Sequence, residues 1–510
     1  MCTADTIRVS TTCGRVVGRS LERVCAFKGI PFARPPVGEW RWRPPQPAQP
    51  WDGERPAFDF GPAPLQELPS RASLMYRLNN DDARALVMSE DCLYLNVWTP
   101  DPSRDARLPV MVWVHGGALR TGHGGQDLFD GARLAARGAV VVTLNMRLGL
   151  LGFLSLPELC AEDASGASGN YGLQDVVAAL RWVQDNVAAF GGEPGRVTLA
   201  GSSAGAATVS HLMAAPSARG LFRAAIGQSL SGLCRVEGRM PSLGESAERG
   251  RQLLAPFGRS LSEWRDQPAT AFLRLAPQGV VVDGSLLVRE TTDVFLAGEQ
   301  AAIPLLAGWN ADEGSVVAPQ GALGEFSVPD AGGTRSALEQ HYGATLDTPA
   351  SEARRALIGD RRFAYPVWRW ARTHAESVGA STWVYELDHP PPVPQDVAPA
   401  PDGLGGFGTF HTAELPYTWD NLAKRSWAWR DADHRRARQL ADAWMRFVAD
   451  ADPNGAGLPP WPRFGPAGDQ PVMRFGSDTR AGVTPRRTAF EVFDELLPRR
   501  ASRAALQRAV

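Results

Sequence analysis

The residue types that could do chemistry cluster first in Arg196-Val-Thr-Leu-Ala-Gly-Ser-Ser-Ala-Gly205. Gly201 to Gly205 is a Gly-x-Ser-x-Gly pentapeptide centred on Ser203. A short apolar run (Val197, Leu199, Ala200) precedes it, and an alanine-rich segment with Val209, Leu212 and Met213 follows. Strand, tight turn, then helix is the context in which this pentapeptide presents a nucleophile. The flanking glycines let strand and helix approach without a side-chain clash. The serine oxygen then sits at a helix N-terminus, where free N–H groups and the helix dipole favour developing negative charge. A nucleophilic serine also needs a base, an acid to orient that base, and donors for an oxyanion.

Five histidines lie well downstream of Ser203: His341, His374, His389, His411 and His434. His434 opens an arginine-rich amphipathic segment, His341 and His374 sit in helical, polar surroundings, and His389 precedes three prolines. His411 lies in the glycine-rich run Gly405-Gly-Phe-Gly-Thr-Phe-His-Thr-Ala-Glu-Leu-Pro416. Loops of that kind carry reactive groups above a rigid sheet, so His411 is the predicted base. The acid is expected at a strand end between Ser203 and His411. Pro304-Leu-Leu-Ala-Gly308 reads as a short buried strand, and Trp309-Asn-Ala-Asp-Glu-Gly314 leaves it in a turn. Asp312 and Glu313 qualify equally, because either carboxylate can accept the histidine N–H and fix its tautomer. Leu108-Pro-Val-Met-Val-Trp-Val114 is a strand rich in β-branched and aromatic residues, and it runs into His115-Gly-Gly-Ala118. Glycines directly after a buried strand let main-chain N–H groups turn toward the serine. Gly117 and Ala118, with Ala204 after the nucleophile, are therefore the predicted oxyanion donors. His115 reads as structural.

The elements that must position these residues are legible in outline. Residues 1–60 suggest a small β-meander followed by a proline-rich crossing. Residues 61–90 read as an irregular loop with a short helix near the rim of the site. Strands are expected around 93–98, 109–114, 139–145, 304–308 and 382–387, the last two completing the sheet. Asn170 to Phe190 carries one apolar stripe (Leu173, Val176, Val177, Leu180, Val183, Val187) and reads as a helix ended by Gly191-Gly192. Residues 235–300 and 320–375 look like helical excursions capping the site, with Phe363, Tyr365, Trp368 and Trp370 able to line an apolar pocket but read more readily as core. Residues 389–408 form a long loop leading to His411, and Arg435 to Asp450 a C-terminal amphipathic helix.

Over most of its length the chain resembles the type-B carboxylesterases of the α/β-hydrolase fold, and within them the bacterial para-nitrobenzyl esterase type. The matching text begins with Phe27-Lys-Gly-Ile-Pro-Phe-Ala33, Ser89-Glu-Asp-Cys-Leu-Tyr-Leu-Asn-Val97 and His115-Gly-Gly-Ala118. It continues with Asn145-Met-Arg-Leu-Gly149, Gly169-Asn-Tyr-Gly-Leu-Gln-Asp175 and Phe190-Gly-Gly-Glu-Pro194. It ends with the Ser203 pentapeptide, Asp312-Glu-Gly314 and Phe410-His-Thr-Ala-Glu-Leu-Pro416. The resemblance implies an α/β fold class: a central, mostly parallel twisted sheet flanked by helices, with helical cap segments over the site. It implies a serine carboxylic-ester hydrolase working through an acyl-enzyme on small to medium apolar esters, with no metal and no cofactor. It implies that Glu313, not Asp312, completes a triad with Ser203 and His411, and that Ser229 and Glu414 surround the histidine. Three positions depart from the family pattern. Ser202 stands where the family usually has glutamate, Leu230 where it has glycine, and Leu119 where it has an aromatic residue. Ser202 and Leu230 motivate an alternative, an acyltransferase or cyclising enzyme of specialised metabolism with the same triad. A non-catalytic binding protein would usually have lost a member of that triad.

Length alone, at 510 residues, would suggest about three domains. The blocks interleave along one sheet, so residues 1–510 are expected to form a single α/β-hydrolase domain. The net charge of −2 implies no attraction to nucleic acid or to a membrane surface; the resemblance implies a small-molecule ester as partner, and a monomer or weak homodimer is expected. Lys28 and Lys424 are the only lysines in an arginine-rich chain, a bias that favours a bacterial source. No apolar run approaches transmembrane length, and Met1-Cys-Thr-Ala-Asp-Thr-Ile-Arg8 lacks a secretory pattern. The six cysteines are scattered without metal spacing. In related secreted enzymes Cys92 pairs with an upstream cysteine after a proline, where this chain has Pro64-Leu-Gln66. A cytoplasmic location is therefore expected.

Overall fold

Runs of β-branched and apolar residues assemble into one sheet of thirteen strands. The computed structural model describes residues 6–79, 86–233, 238–317, 334–343, 352–398, 406–465, 470–484 and 486–496. Strands β1 (Thr6–Thr11), β2 (Gly14–Ser20) and β3 (Cys25–Pro31) form an antiparallel meander, and β4 (Glu54–Pro56) lies parallel to β2. Two-residue strands β5 (Ala63–Pro64) and β6 (Met88–Ser89) pair only with each other. Strand β7 (Tyr94–Thr99) joins the meander to the centre through antiparallel pairs with β3 and β9. The centre is parallel: β8 (Leu108–Val114), β9 (Val140–Leu144), β10 (Gly192–Ser202), β11 (Ala224–Gln228), β12 (Leu305–Asn310), β13 (Thr382–Leu387) and β14 (Pro471–Phe475). An antiparallel β15 (Thr479–Val483) closes the edge, and the spatial order is β1-β2-β3-β7-β9-β8-β10-β11-β12-β13-β14-β15. Every residue of β9, β11, β12 and β13 is buried, as parallel strands covered on both faces must be.

Helices supply those covers. Tyr171–Asn186 lays Leu173, Val176, Leu180 and Val183 against one face and ends in a short 3-10 turn at Gly191, whose φ is 81°. Asp431–Asp450 lays Leu440, Trp444, Phe447 and Val448 against the other. This helix starts four residues before the expected Arg435, because Asp433 accepts the Arg430 N–H at 2.8 Å and begins the first turn there. His434 is thus inside it. The sheet also runs past the strand at 382–387, which the sequence reading took as its last. The capping region contains Leu243–Leu254, Leu261–Arg265 and Thr291–Ala297, the first two opened by capping boxes at Ser242/Glu245 and Ser260/Glu263. The second region contains Thr334–Tyr342, Glu352–Gly359 and Tyr365–Val378, with a π-helical turn at Asp360–Ala364. Residues 318–333 and 344–351 of that expected excursion, and 399–405 of the loop before His411, lie outside the described residues. Among the described residues no helix is long and apolar enough to cross a membrane, and Cys13, Cys25, Cys92 and Cys160 are free thiols.

Candidate active site

Strand β10 ends at Ser202, the helix Ala204–Ala214 begins at once, and Ser203 between them has φ 55° and ψ −126°. A non-glycine residue held there costs on the order of 1–3 kcal/mol and persists only when its surroundings enforce it. Enforcement comes from the Ser203 N–H, which donates to the Gln228 carbonyl of β11 at 2.7 Å, and from close packing. A Cβ at Gly205 would sit 2.1 Å from the Val114 carbonyl oxygen, and one at Gly201 2.5 Å from the Gly205 carbonyl carbon. Both glycines are required by space.

His411 Nε2 lies 3.0 Å from Ser203 Oγ, and His411 Nδ1 lies 2.6 Å from Glu313 Oε2. A carboxylate only accepts, so Nδ1 carries the proton and the Nε2 lone pair faces the serine hydroxyl. Glu313 is itself fixed, its other oxygen accepting the Asn310 N–H at 2.8 Å. Asp312 turns elsewhere. Its Oδ2 accepts the Thr409 N–H at 2.8 Å and its own N–H donates to the Thr409 carbonyl at 3.0 Å. Asp312 therefore pins the turn after β12 to the loop that carries His411, and burial pushes its carboxyl up from the usual range. Two of the other downstream histidines are engaged in structure. His374 is buried, with Nε2 2.8 Å from the Ile303 carbonyl, so its surroundings are core rather than the polar ones expected. His389 Nε2 lies 2.8 Å from Asp433.

Behind the histidine, Glu414 is fully buried and accepts three hydrogen bonds: from Ser202 Oγ at 3.2 Å, Gln228 Nε2 at 3.1 Å and Asn310 Nδ2 at 2.5 Å. Burial, then the nearby Glu313 carboxylate, raise the Glu414 carboxyl above its ordinary range, and the Asn310 bond opposes them. Ser202 thus supplies a donor. Ser229 is buried at φ 58°, and its Oγ has no hydrogen-bond partner among the described residues. It does not join the Glu414 cluster.

The loop after β8 lies against Ser203. A Cβ at Gly116 would be 3.2 Å from the Ser203 Cβ. Gly117 (φ 112°), Ala118 (φ 55°) and Leu119 (φ 58°) turn successively through the left-handed region, and the Arg120 and Thr121 N–H groups close the turn on the Gly117 carbonyl at 2.9 and 3.0 Å. Among the described residues, the N–H groups of Gly117, Ala118 and Ala204 meet no protein acceptor. His115 is buried beneath them, its Nδ1 2.7 Å from the Gly116 carbonyl, and burial lowers its pKa to about 4.

A cavity of about 1090 Å³ opens over Ser203 and His411. Its walls come from the irregular loop near Leu65 and Met75, from Phe272 and Leu275, and from Leu230 and Phe363. Leu119 packs against the core. The Phe363 ring stacks on His411 with centroids 4.2 Å apart and planes 29° apart. Phe363 is buried, as are Tyr365, Trp368 and Trp370, but of the four it alone also lines the cavity. The π-helical turn separates them, and no local sequence signal marks it. Two of the sequence blocks without chemistry of their own meet as a buried ion pair, Arg147 Nη2 to Asp175 at 2.7 Å.

A serine on a strained strand-to-helix turn above a mostly parallel sheet, met by a carboxylate and a histidine from later loops, defines the α/β-hydrolase class. Within that class the chain belongs to the carboxylesterase family, whose model matches residues 5–493. It is 34% identical to the fumonisin B1 esterase of Sphingopyxis macrogoltabida, over 89% of this chain and 84% of that protein. It is also 34% identical to the para-nitrobenzyl esterase of Bacillus subtilis, over 89% and 92%. Among solved structures, the Geobacillus stearothermophilus carboxylesterase EST55 superimposes with a TM-score of 0.79 at 30% identity, covering 95% of this chain and 99% of that one. A PNB esterase superimposes with a TM-score of 0.78 at 29% identity, covering 96% and 99%. The protein is an ester-hydrolysing enzyme of the serine hydrolase type.

Proposed function

We propose that this enzyme hydrolyses small to medium apolar carboxylic esters by two-step acyl transfer through Ser203, His411 and Glu313. The observation that carries the reading is the continuous chain Ser203 Oγ, His411 Nε2, His411 Nδ1, Glu313 Oε2, with links of 3.0 and 2.6 Å. His411 takes the Ser203 proton as the oxygen attacks the ester carbonyl. The N–H groups of Gly117, Ala118 and Ala204 receive the oxyanion of the tetrahedral intermediate. Glu313 holds the imidazole in its tautomer and stabilises the imidazolium. His411 then protonates the leaving alkoxide, and in the second step it activates water to release the acid. The mostly apolar walls of the cavity favour an apolar ester body.

The test is turnover of p-nitrophenyl esters, acetyl through decanoyl, by wild type and Ser203→Ala. The variant should lose at least about 10³-fold in kcat, since the remaining machinery only positions substrate. Undiminished turnover by Ser203→Ala would overturn the assignment. A burst of p-nitrophenol without continuing turnover would favour transfer to an acceptor other than water.

A further inference from the structure

The cavity over Ser203 is lined by apolar residues together with neutral polar ones such as Gln66, Tyr76 and Gln126, and among the described lining residues the formal charges do not balance. Glu67 lines it, but Arg274 Nε lies 3.5 Å from the Glu67 carboxylate and offsets it. Arg120 and Arg362 also line the cavity. Among the described residues, neither guanidinium has a hydrogen-bond or ion-pair partner, and the Arg362 guanidinium carbon lies 5.6 Å from the centroid of the Phe363 ring. Other arginines of the fold are engaged, as Arg147 with Asp175 and Arg486 with Asp360 are. The whole chain carries a net charge of −2, so the positive excess among the described lining residues runs against the balance of the molecule.

Both arginines are tied to the site through their neighbours in sequence. Arg120 belongs to the turn that closes on the Gly117 carbonyl, within three residues of the loop N–H groups facing the serine. Arg362 precedes Phe363, whose ring stacks on His411. Hydrolysis of a neutral apolar ester uses neither cation. A carboxylate does use them, because a guanidinium binds it through paired, charge-assisted hydrogen bonds. A low-dielectric cleft with uncompensated charge of one sign also concentrates ligands of the other.

We propose that Arg120 and Arg362 form an anion subsite, and that the preferred substrates are esters with an apolar body that carry a free carboxylate in addition to the ester group. This rests on the reading of Ser203 as the acylated nucleophile, and it names the substrate class of that same site.

The experiment compares kcat/KM for charged and neutral isosteres, by proton release at pH 8 and low salt. One pair places the charge on the acyl half: monomethyl glutarate against methyl glutaramate. The other places it on the alcohol half: butyryloxyacetate against butyryloxyacetamide. p-Nitrophenyl butyrate reports the serine hydrolase activity itself. In at least one pair the anionic ester should be favoured by about tenfold or more. That preference should weaken as salt is added and fall toward unity in the Arg120→Ala/Arg362→Ala double variant. A ratio within one preparation is insensitive to the fraction folded, and the pair that responds identifies the half bearing the charge. Equal or slower turnover of both anionic esters by wild type, with p-nitrophenyl butyrate still cleaved, would overturn the anion subsite and leave the hydrolase reading standing. A preference that survives the double variant would overturn it too. Failure of wild type on p-nitrophenyl butyrate as well would remove the hydrolysis reading and this inference with it.

Discussion

Asp312 and Glu313 are adjacent carboxylates sent in different directions by the turn after β12. Glu313 reaches the His411 ring, while Asp312 holds the Thr409 main chain of the loop that presents that ring. Composition could not separate them, because both are acids at the same strand end. The choice is made by the turn itself, in which Asp312 has φ −121° and ψ 40°. Substitution should separate them. Glu313→Gln puts an amide where only an acceptor fits, and should lower kcat by about 10³–10⁴-fold through the wrong imidazole tautomer. Asp312→Asn keeps an oxygen to accept the Thr409 N–H and should cost less than about tenfold. The measurement is kcat on p-nitrophenyl butyrate at fixed pH, and the reverse order would make Asp312 the acid that orients His411. Ser202 shows the same limit of sequence reading. Its departure from the family pattern was visible, but its use as a donor to Glu414 depends on residues 212 positions apart meeting in space.

The strand β10, its turn and the helix Ala204–Ala214 form the most constrained element of the site. The glycines of the turn were legible because the pentapeptide carries a geometric demand, and that demand appears as contact distances. A Cβ added at Gly205 meets the carbonyl oxygens of Val114 at 2.1 Å and His115 at 2.8 Å, main-chain atoms that cannot swing aside. Gly205→Ala should therefore destabilise the fold by about 1–3 kcal/mol or more through overpacking, and lower activity by displacing the loop after β8. Thermal unfolding of the variant measures it, and an unchanged midpoint would show that β8 and the helix do not approach this closely. The strands expected at 93–98, 109–114, 139–145, 304–308 and 382–387 were readable to within two residues because burial demands uninterrupted apolar runs, whereas β11 received no range and β10 begins five residues before the apolar run at Val197. The last two strands of the sheet were not readable. Strand β14 is five residues long with Arg474 inside it, and β15 is largely exposed, so neither carries that signal. The start of the helix Asp431–Asp450 was hidden because Arg430 is not a usual capping residue type.

At the scale of the whole molecule the sheet separates two apolar cores, and histidines buried against them link stability to pH. His374 is fully buried on the helix Tyr365–Val378. Its Nε2–H donates to the Ile303 carbonyl and its Nδ1 faces the Gln300 amide nitrogen at 3.1 Å, an arrangement suited to the neutral ring. Burial lowers its pKa from 6.5 to about 4. The unfolded chain therefore binds this proton before the folded one does. Stability from the neutral ring is complete above pH 6.5 and is lost as pH falls toward 4, by on the order of 3 kcal/mol. Buried carboxyls such as Glu414 act in the opposite sense, because burial raises them and acidification relieves their charge in the folded state. The net acid profile mixes the two, so the His374 contribution is isolated by difference. His374→Gln keeps a donor for Ile303 and removes the titration. Denaturant unfolding of both proteins at pH 7, 5.5 and 4 should show the wild-type advantage shrinking steadily across that window. A stability gap that stays constant with pH would mean that the ring accepts its proton as readily when folded as when unfolded, and that the packing around Ile303 and Gln300 does not keep it neutral.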